Sequence, residues 1–175
     1  MLEFITDRDI YEKVIRKHVP TAERFLWLAT ADIKDLYVEK RRRMVPFLEV
    51  LSDLAGKNVE IRLLHAKEPG PAFRKDFDRY PNLIGGMEQI LCPRVHIKSV
   101  VIDGQFVYTG SANLTGAGLG AKSVNRRNFE SGIITDEPEI VAGVMEQFDD
   151  IWRGSRCRLC QRKEYCAAFK ELLTE

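Results

Sequence analysis

His96 and Lys98 are the two residues of this chain whose types and spacing best suit chemistry. Residues two apart in a β-strand point to the same face, so a strand here would place a neutral imidazole beside a fixed positive charge. Such a pair suits attack on a phosphodiester, because the imidazole can bond to phosphorus while the ammonium offsets the charge of the phosphate oxygens. The two residues therefore predict a phosphate site with a histidine nucleophile.

The residues that follow extend this pair into a longer pattern, H-x-K-x4-D-x6-G-S-x-N. The pattern runs from His96 through Asp103 to Gly110-Ser111-Ala112-Asn113. Asn113 adds an amide donor, and Gly110-Ser111 lets backbone and hydroxyl groups come close to an anion. An isolated H-x-K is common among ordinary strand residues, whereas the full spacing indicates a phosphate-binding site.

The elements that must position this pattern follow from apolar periodicity and from turn residues. Asp103-Gly104 lies between apolar runs over 89–102 and 105–108, and this predicts a β-hairpin. The alternation of helices and strands along the chain favours an α/β fold in which helices cover a sheet. Further strands are predicted over 24–30, 58–65 and 129–135, helices over 6–17, 44–55 and 136–154, a Pro- and Gly-rich excursion over 68–86, and a short helix after the last cysteine.

The pattern from His96 to Asn113 resembles the signature of the phospholipase D superfamily, whose members share H-x-K-x4-D with a G-S-x-N tail. Every signature position is present here at the family's spacing. The similarity extends more loosely over 22–152. The resemblance implies a mixed β-sheet with helices on both faces for a catalytic domain at 1–154. Residues 155–175 are then expected to form a small, Cys-containing, metal-binding tail packed on that domain.

The resemblance also implies a role for each site residue. His96 would attack phosphorus and form a phosphohistidine, while Lys98 and Asn113 hold the non-bridging oxygens. Glu130 would hydrogen-bond the far ring nitrogen of His96 and fix its tautomer. Ser111 would contact the phosphate or support the groups that do. Asp103, at the hairpin turn, is expected to be structural rather than chemical, and the implied mechanism needs no metal ion.

Superfamily active sites use two such motifs, and this chain carries one. In the family, one histidine attacks, and the second gives its proton to the leaving oxygen and later activates water. His65-Ala66-Lys67 repeats only the first triplet, without the aspartate or the G-S-x-N tail. A homodimer that brings two copies of His96 face to face is the simplest complete site, and double displacement there predicts retention at phosphorus.

Four cysteines form a second group of candidate functional residues. Cys92 stands alone, and Cys157, Cys160 and Cys166 are spaced C-x2-C-x5-C. Thiolates spaced C-x2-C in a turn can converge on one ion. The set resembles, in spacing only, the iron–sulfur staple of RecB-type nucleases, which have a different fold. We expect a structural 4Fe-4S cluster rather than zinc, because structural zinc more often uses paired C-x2-C knuckles; separate free cysteines are the remaining alternative.

The distribution of charge bears on the substrate. The formal net charge is +1, so any affinity for phosphate must come from local clusters. One cluster is Lys40-Arg41-Arg42-Arg43, at a predicted helix start, and the other is Arg126-Arg127, close to Glu130. Such runs are often only solvated surface, but beside phosphodiester chemistry they predict contacts to a polynucleotide backbone.

The sequence leaves three functions open. The first is a dimeric nuclease acting on nucleic acid. The second is a phospholipid-directed phospholipase D, which would need an apolar membrane-facing surface and usually has two motifs in one chain. The third is a non-catalytic nucleic-acid-binding or redox-sensing module. No stretch approaches the roughly 20 apolar residues of a membrane helix, and the first residues do not resemble a signal peptide, so we expect a cytoplasmic protein without membrane partners.

Overall fold

The structure, a computed structural model, describes residues 1–34 and 36–166. At its centre lies a mixed sheet of seven strands, accompanied by a separate two-stranded hairpin. The strands are β1 (Leu2–Thr6), β2 (Phe25–Thr30), β3 (Tyr37–Lys40), β4 (Arg43–Pro46), β5 (Glu60–His65), β6 (Met87–Leu91), β7 (Ser99–Ile102), β8 (Phe106–Gly110) and β9 (Ser131–Thr135). The central order is β1-β9-β8-β7-β2-β5-β6, in which β2, β5 and β6 are parallel neighbours and the other pairs are antiparallel.

Helices pack on both faces of this sheet. On one face, the π-helix Ile10–His18 and α1 (Phe47–Ala55) bury residues such as Val14 and Leu51 against the sheet. On the other face, Val141 of α4 (Pro138–Trp152) packs with Val101 and Val107. Within the described residues, no helix has the length and apolar character needed to cross a bilayer. The helices are the π-helix Ile10–His18, α1 (Phe47–Ala55), α2 (Pro71–Phe77), α3 (Leu83–Gly86) and α4 (Pro138–Trp152), with 3₁₀ turns at Val19–Thr21, Val124–Arg126 and Lys163–Tyr165.

An aromatic stack attaches the C-terminal end of α4 to the sheet. The ring of Phe148 lies 4.9 Å from that of Trp27 and 5.7 Å from that of Trp152. The guanidinium of Arg62 lies over both tryptophans, at 5.4 and 5.1 Å from the ring centroids. Aromatic and cation–π contacts of this kind add to the burial of apolar area, so the stack determines where the C-terminal segment leaves the domain.

Two predicted elements begin elsewhere than expected. The helix predicted over 44–55 starts at Phe47, because residues 43–46 form β4. Val45 precedes Pro46, and the residue before a proline disfavours helical backbone, so the helix begins after the proline. The N-terminal helix also starts later, at Ile10, because residues 2–6 form β1 and pair with β9. The short helix predicted after the last cysteine lies outside the described residues.

The strand predicted over 89–102 is two strands, β6 and β7, separated by residues 92–98. We call these residues the His96 loop. β6 and β7 are not neighbours, because β5 and β2 lie between them. The loop must therefore cross two strands at the edge of the sheet, which an uninterrupted strand cannot do. His96 and Lys98 consequently lie on a loop and not within a strand.

The predicted β7–β8 hairpin is present, and Asp103 closes it. Asp103 and Gly104 have φ values of 55° and 69°, as a two-residue type I′ turn requires. The Asp103 carboxylate accepts hydrogen bonds from the amides of Glu23 (2.9 Å), Arg24 (2.8 Å) and Phe25 (2.9 Å). This residue therefore connects the hairpin to the start of β2.

Asp103 should make a pH-dependent contribution to stability. Burial raises the pKa of its carboxyl, but the three backbone amides outweigh burial and hold the pKa below its usual value of 3.8. With the folded pKa below the unfolded one, the stabilisation is present above the unfolded pKa and is lost as pH falls through the folded pKa. We expect Asp103→Ala to lower the free energy of unfolding by about 2–3 kcal/mol near pH 7, and by less in acid below about pH 3.

Urea denaturation at the two pH values measures this difference. Gln105→Ala, an exposed change in the same hairpin, is the matched control and should alter stability by less than about 0.5 kcal/mol. An Asp103→Ala effect of equal size at both pH values would show that the carboxylate charge is not what stabilises the turn.

Candidate active site

One edge of the sheet brings most of the predicted catalytic residues together. The amide of Gly110 donates to the carbonyl of Lys98 (3.1 Å), and that of Ser111 donates to the carbonyl of Ser131 (2.9 Å). Ala29 pairs with Ser99, so the register places Thr30 opposite Lys98. Neighbouring strands lie about 4.8 Å apart, which sets the spacing along this edge. We call the edge formed by Glu130, Ser111, Lys98 and Thr30 the active-site edge.

His96 and Lys98 are in contact although they do not share a strand face. The ammonium of Lys98 lies 3.2 Å from Nδ1 of His96 and donates to the carbonyl oxygen of His96 at 2.8 Å. Lys98 is only 8% exposed, whereas His96 is exposed to solvent. Burial lowers the pKa of Lys98, and the negative charge of Glu130 partly opposes that shift. A buried ammonium acts on a nearby anion through less water than a surface one, and so attracts it more strongly.

Asn113 is held so that its amide nitrogen is free to donate. Its Oδ1 accepts hydrogen bonds from the amides of Ala31 (3.1 Å) and Asp32 (3.2 Å), and the hydroxyl of Thr30 lies at 3.3 Å. Donors around one oxygen determine which way a carboxamide is turned. Within the described residues, Nδ2 has no hydrogen-bond partner, so it can donate to a phosphate oxygen.

Glu130 occupies the predicted region but makes different contacts. The resemblance implies a hydrogen bond to His96; among the described residues, none joins the two. Instead the hydroxyl of Ser111 donates to one carboxylate oxygen, and Nδ2 of Asn128 donates to the other at 3.0 Å. Nearby donors thus occupy both oxygens, and the carboxylate orients the hydroxyl of Ser111. Its negative charge also partly offsets the positive charge of Lys98. The orienting contact of His96 is Lys98.

Asp7 and Tyr108 support the site and were not identified from the sequence. The Asp7 carboxylate accepts from the amide of Glu130, and the Asp7 amide donates to the carbonyl of Glu130, both at 2.9 Å. The hydroxyl of Tyr108 accepts from the amide of Ala112 at 3.4 Å, and burial raises the pKa of Tyr108 to about 12. Asp7 lies 123 residues from Glu130, and no local sequence pattern indicates a contact at that distance.

Packing explains the glycine of the G-S-x-N segment. A Cβ on Gly110 would lie 2.5 Å from the hydroxyl of Tyr108, and one on Gly132 would lie 2.6 Å from the ring of Tyr108. No side chain fits in either position. The two glycines let β8 and β9 approach closely enough for Ser111 to reach Glu130.

His65-Ala66-Lys67 lies at the same edge, one strand beyond Thr30. His65 is 4% exposed, and its Nδ1 donates to the carbonyl of Lys67 at 2.9 Å. Its ring is thus buried and already bonded, unlike that of His96. The geometry is that of a strand end closed by a local hydrogen bond.

The two basic clusters occupy opposite ends of the molecule. Lys40-Arg41-Arg42-Arg43 forms the β3–β4 turn and not a helix start, and Lys40 pairs with Glu49 (2.8 Å) and Asp53 (2.5 Å). Lys40 lines a small cavity with Lys57, which precedes β5, whereas the active-site edge lies at the other end of that strand. Arg126-Arg127 ends a 3₁₀ turn within four residues of Glu130 and has no ion-pair partner among the described residues. Of the two clusters, only this second one adjoins a residue of the active-site edge, Glu130.

The four cysteines line one cavity of about 730 Å³ beside the His96 loop, and all four are free. Burial, and then the thiols of Cys92, Cys166 and Cys160, raise the pKa of Cys157. The amide of Arg162 lowers the pKa of Cys160. Among residues 1–34 and 36–166, no three His, Cys, Asp or Glu side chains are arranged to hold a metal ion. The predicted ligands therefore share a cavity without being in coordinating positions.

Comparison with known sequences identifies the family. The family described as "Cardiolipin synthase, PLD-like domain" matches residues 5–152. A mitochondrial cardiolipin hydrolase from Chlamydomonas reinhardtii is 25% identical over 105 residues, which are 59% of this chain and 44% of that protein. The match thus covers less than half the length of that relative.

Solved structures agree on the fold. The phospholipase D family member Nuc from Salmonella typhimurium superposes with a TM-score of 0.64 at 14% identity, covering 87% of this chain and 94% of that chain. NucT from Helicobacter pylori gives a TM-score of 0.63 at 14% identity, covering 87% and 97%. With the family match over most of its length, the chain belongs to the phospholipase D superfamily. The predicted family and the mixed α/β fold are confirmed.

Asn113→Asp tests the unpaired amide. The variant keeps the acceptor for Ala31 and Asp32 but replaces the donor with a negative oxygen facing the phosphate. We expect folding and melting temperature close to wild type, and turnover of a chromogenic phosphodiester lowered at least about 100-fold.

Asn58→Asp makes the same charge change in an exposed turn just before β5, at the far end of the sheet, and should leave turnover unchanged. Wild-type turnover in Asn113→Asp would remove Asn113 from the phosphate site.

Proposed function

We propose that this chain is a nuclease, which cleaves nucleic-acid phosphodiester bonds through a phosphohistidine at His96 in a homodimeric active site. The observation that carries the proposal is the open imidazole of His96 against the buried ammonium of Lys98, 3.2 Å from Nδ1. Asn113 adds an unpaired amide at the adjoining strand end. An anion can be bound there by a cation and a neutral donor while a nitrogen lone pair faces it.

The proposed reaction has two displacements. Because the ammonium of Lys98 is the donor, the neighbouring Nδ1 of His96 carries the ring lone pair in this arrangement. When a phosphate oxygen replaces Nδ1 as the acceptor of the Lys98 ammonium, the lone pair of Nδ1 becomes free to bond to phosphorus. The P–O bond to the leaving group breaks as a second imidazolium gives its proton to the leaving oxygen. Water, deprotonated by the second imidazole, then attacks phosphorus and breaks the P–N bond. No step requires a metal ion.

A second copy of the chain is the proposed source of the second imidazole. The sequence has three histidines. His18 stacks on Phe106 at 3.9 Å, at the start of β8 and so at the end of the sheet away from Gly110, and His65 is buried and bonded. Neither is placed to protonate a leaving group beside His96. A two-fold dimer would supply the missing group without any further residue.

The surface beside the site suits a polynucleotide. Arg126 and Arg127 can pair with backbone phosphates, and Phe129, next to Glu130, is 98% exposed and can stack on a base. The cardiolipin hydrolase relative makes a phospholipid the second candidate, because cardiolipin also contains phosphodiesters and an exposed phenylalanine can enter a lipid surface. The two candidates share the same chemistry at His96 and differ in the group beyond the phosphate.

Substrate profiling separates these candidates. Wild-type protein is incubated, without added divalent cations, with single-stranded DNA, duplex DNA, RNA and cardiolipin vesicles. We expect cleavage of at least one nucleic acid, lowered about 10³-fold or more in His96→Ala because the nucleophile is absent. Lys57→Ala, an exposed change at the far end of the sheet, should cleave at the wild-type rate. Hydrolysis of cardiolipin alone would favour the second candidate, and equal turnover by wild type and His96→Ala would exclude both.

Mixed dimers test the shared active site. Tagged wild-type chains and differently tagged His96→Ala chains are co-expressed, and the heterodimer is isolated with both tags. One imidazole cannot serve as both nucleophile and acid, so we expect the heterodimer to have less than a tenth of wild-type activity. A strictly monomeric protein with full activity, or a heterodimer with half the activity, would contradict the dimer.

A further inference from the structure

The cavity beside the His96 loop has three walls. The His96 loop forms the first wall, one face of α4 forms the second, and the segment after Trp152 forms the third. Cys92 lies on the first wall, and Cys157, Cys160 and Cys166 lie on the third. Two regions that are 65 residues apart in sequence therefore present all the thiols of the chain to one space.

The backbone around the thiols has features of a sulfur-ligand turn. The amide of Arg162 donates to Sγ of Cys160 at 3.4 Å, a contact that stabilises a thiolate. The amide of Cys160 donates to the carbonyl of Cys157 at 3.1 Å, closing the turn between the first two thiols. Gly154 has a φ of 66°, and a Cβ there would lie 3.2 Å from Sγ of Cys157. The turn therefore has a glycine where a side chain would crowd the sulfur of Cys157.

The charges on the cavity walls complement thiolates. Four thiolates around a divalent ion carry a net negative charge, which needs nearby cations when it is removed from bulk water. The only carboxylates among the residues lining this cavity are Glu146 and Asp150. The cations are more numerous and come from both cysteine-bearing walls: Arg94, Arg156, Arg162 and Lys163.

The C-terminal wall has little apolar packing of its own. Among the described residues after Gly154, none is fully buried, and Leu159 and Tyr165 are 85% and 60% exposed. A segment without a core is commonly held by a metal or a disulfide. Since the thiols line one cavity without being in coordinating positions, metal binding must draw this segment toward Cys92.

We propose that Cys92, Cys157, Cys160 and Cys166 bind one thiolate-coordinated metal centre that fastens the C-terminal segment to the His96 loop. Each thiol loses its proton as its sulfur binds the metal. Both an iron–sulfur cluster and a zinc ion use this chemistry, and free thiols facing one cavity suit a reducing compartment such as the cytoplasm. Cys92 lies four residues before His96, so the centre also restrains the loop that carries the nucleophile.

Metal analysis of anaerobically purified full-length protein tests the centre without reference to catalysis. Iron, acid-labile sulfide and zinc are measured per chain, and a visible absorption spectrum is recorded. We expect one centre per chain, seen either as about four irons with sulfide and a broad visible band, or as about one zinc without colour. Less than about a tenth of a centre of either kind, after anaerobic reconstitution with iron and sulfide or with zinc, overturns the proposal.

Serine variants assign the ligands. Cys92→Ser and Cys160→Ser should each lose most of the metal and lower the Tm by about 5 °C or more, because the two walls are no longer joined. Leu159→Ser, an exposed change between two of the cysteines, should keep the metal and the wild-type Tm. Full metal content in either variant overturns the assignment of that cysteine, so one folded variant is enough for the test.

The restraint on the His96 loop has a separate readout. Removal of the metal by a chelator should increase hydrogen exchange at residues 92–98, and reconstitution should reverse that increase. In Leu159→Ser the loop should behave as in the wild type. Unchanged exchange in these residues after complete metal loss overturns the restraint. Neither this measurement nor the metal analysis depends on the nuclease reaction. Both therefore still test the metal centre if the proposed function is wrong.

Discussion

The hydrogen-bond ladder that joins β9, β8, β7 and β2 is the constraint on which the site depends. It fixes the strand ends in register, so that Glu130, Ser111, Lys98 and Thr30 follow one another along a single edge. A slip of one residue in any pair would turn the affected side chains to the other face of the sheet. The Asp103-Gly104 turn and the close contact at Gly110 restrain that register, which is why residues with no part in chemistry belong to the same motif as His96.

Within that frame, the electrostatics of the site are arranged around Lys98. Its ammonium is buried, held by the carbonyl of His96, and faced by the charge of Glu130. Glu130 is itself held by Asp7, and through Ser111 and Asn128 its oxygens are occupied. The result is a buried cation held in place by neighbouring groups of the same chain, so that the proposed phosphate would meet a preformed positive charge. The proposed dimer would restrain the His96 loop further at His96, and the proposed metal centre would restrain it at Cys92, its first residue.

Much of the fold was predictable because its signals are local. Short stretches of sequence locate the apolar runs at β2, β5 and β9, the Asp-Gly turn, and α4 with its early proline. The errors also have local causes. Pro46 delays α1. The sequence predicts no strand over residues 2–6, which form β1 and pair with β9, so the N-terminal helix starts later than predicted. The apolar run over 89–102 gave no indication that its two halves belong to strands separated by β5 and β2.

The groups that could do chemistry are readable in the sequence: an imidazole, an ammonium and a carboxamide at a spacing typical of one superfamily, and four thiols in two regions. Which of these groups meet depends on the fold. In the fold, the ammonium of Lys98 contacts His96, and Glu130 contacts Ser111. Lys40 lies away from the active-site edge, and Cys92 lines the same cavity as the C-terminal thiols. Spacing along a chain sets the order of side chains only within one element. Contacts between elements depend on strand register and on which faces pack together.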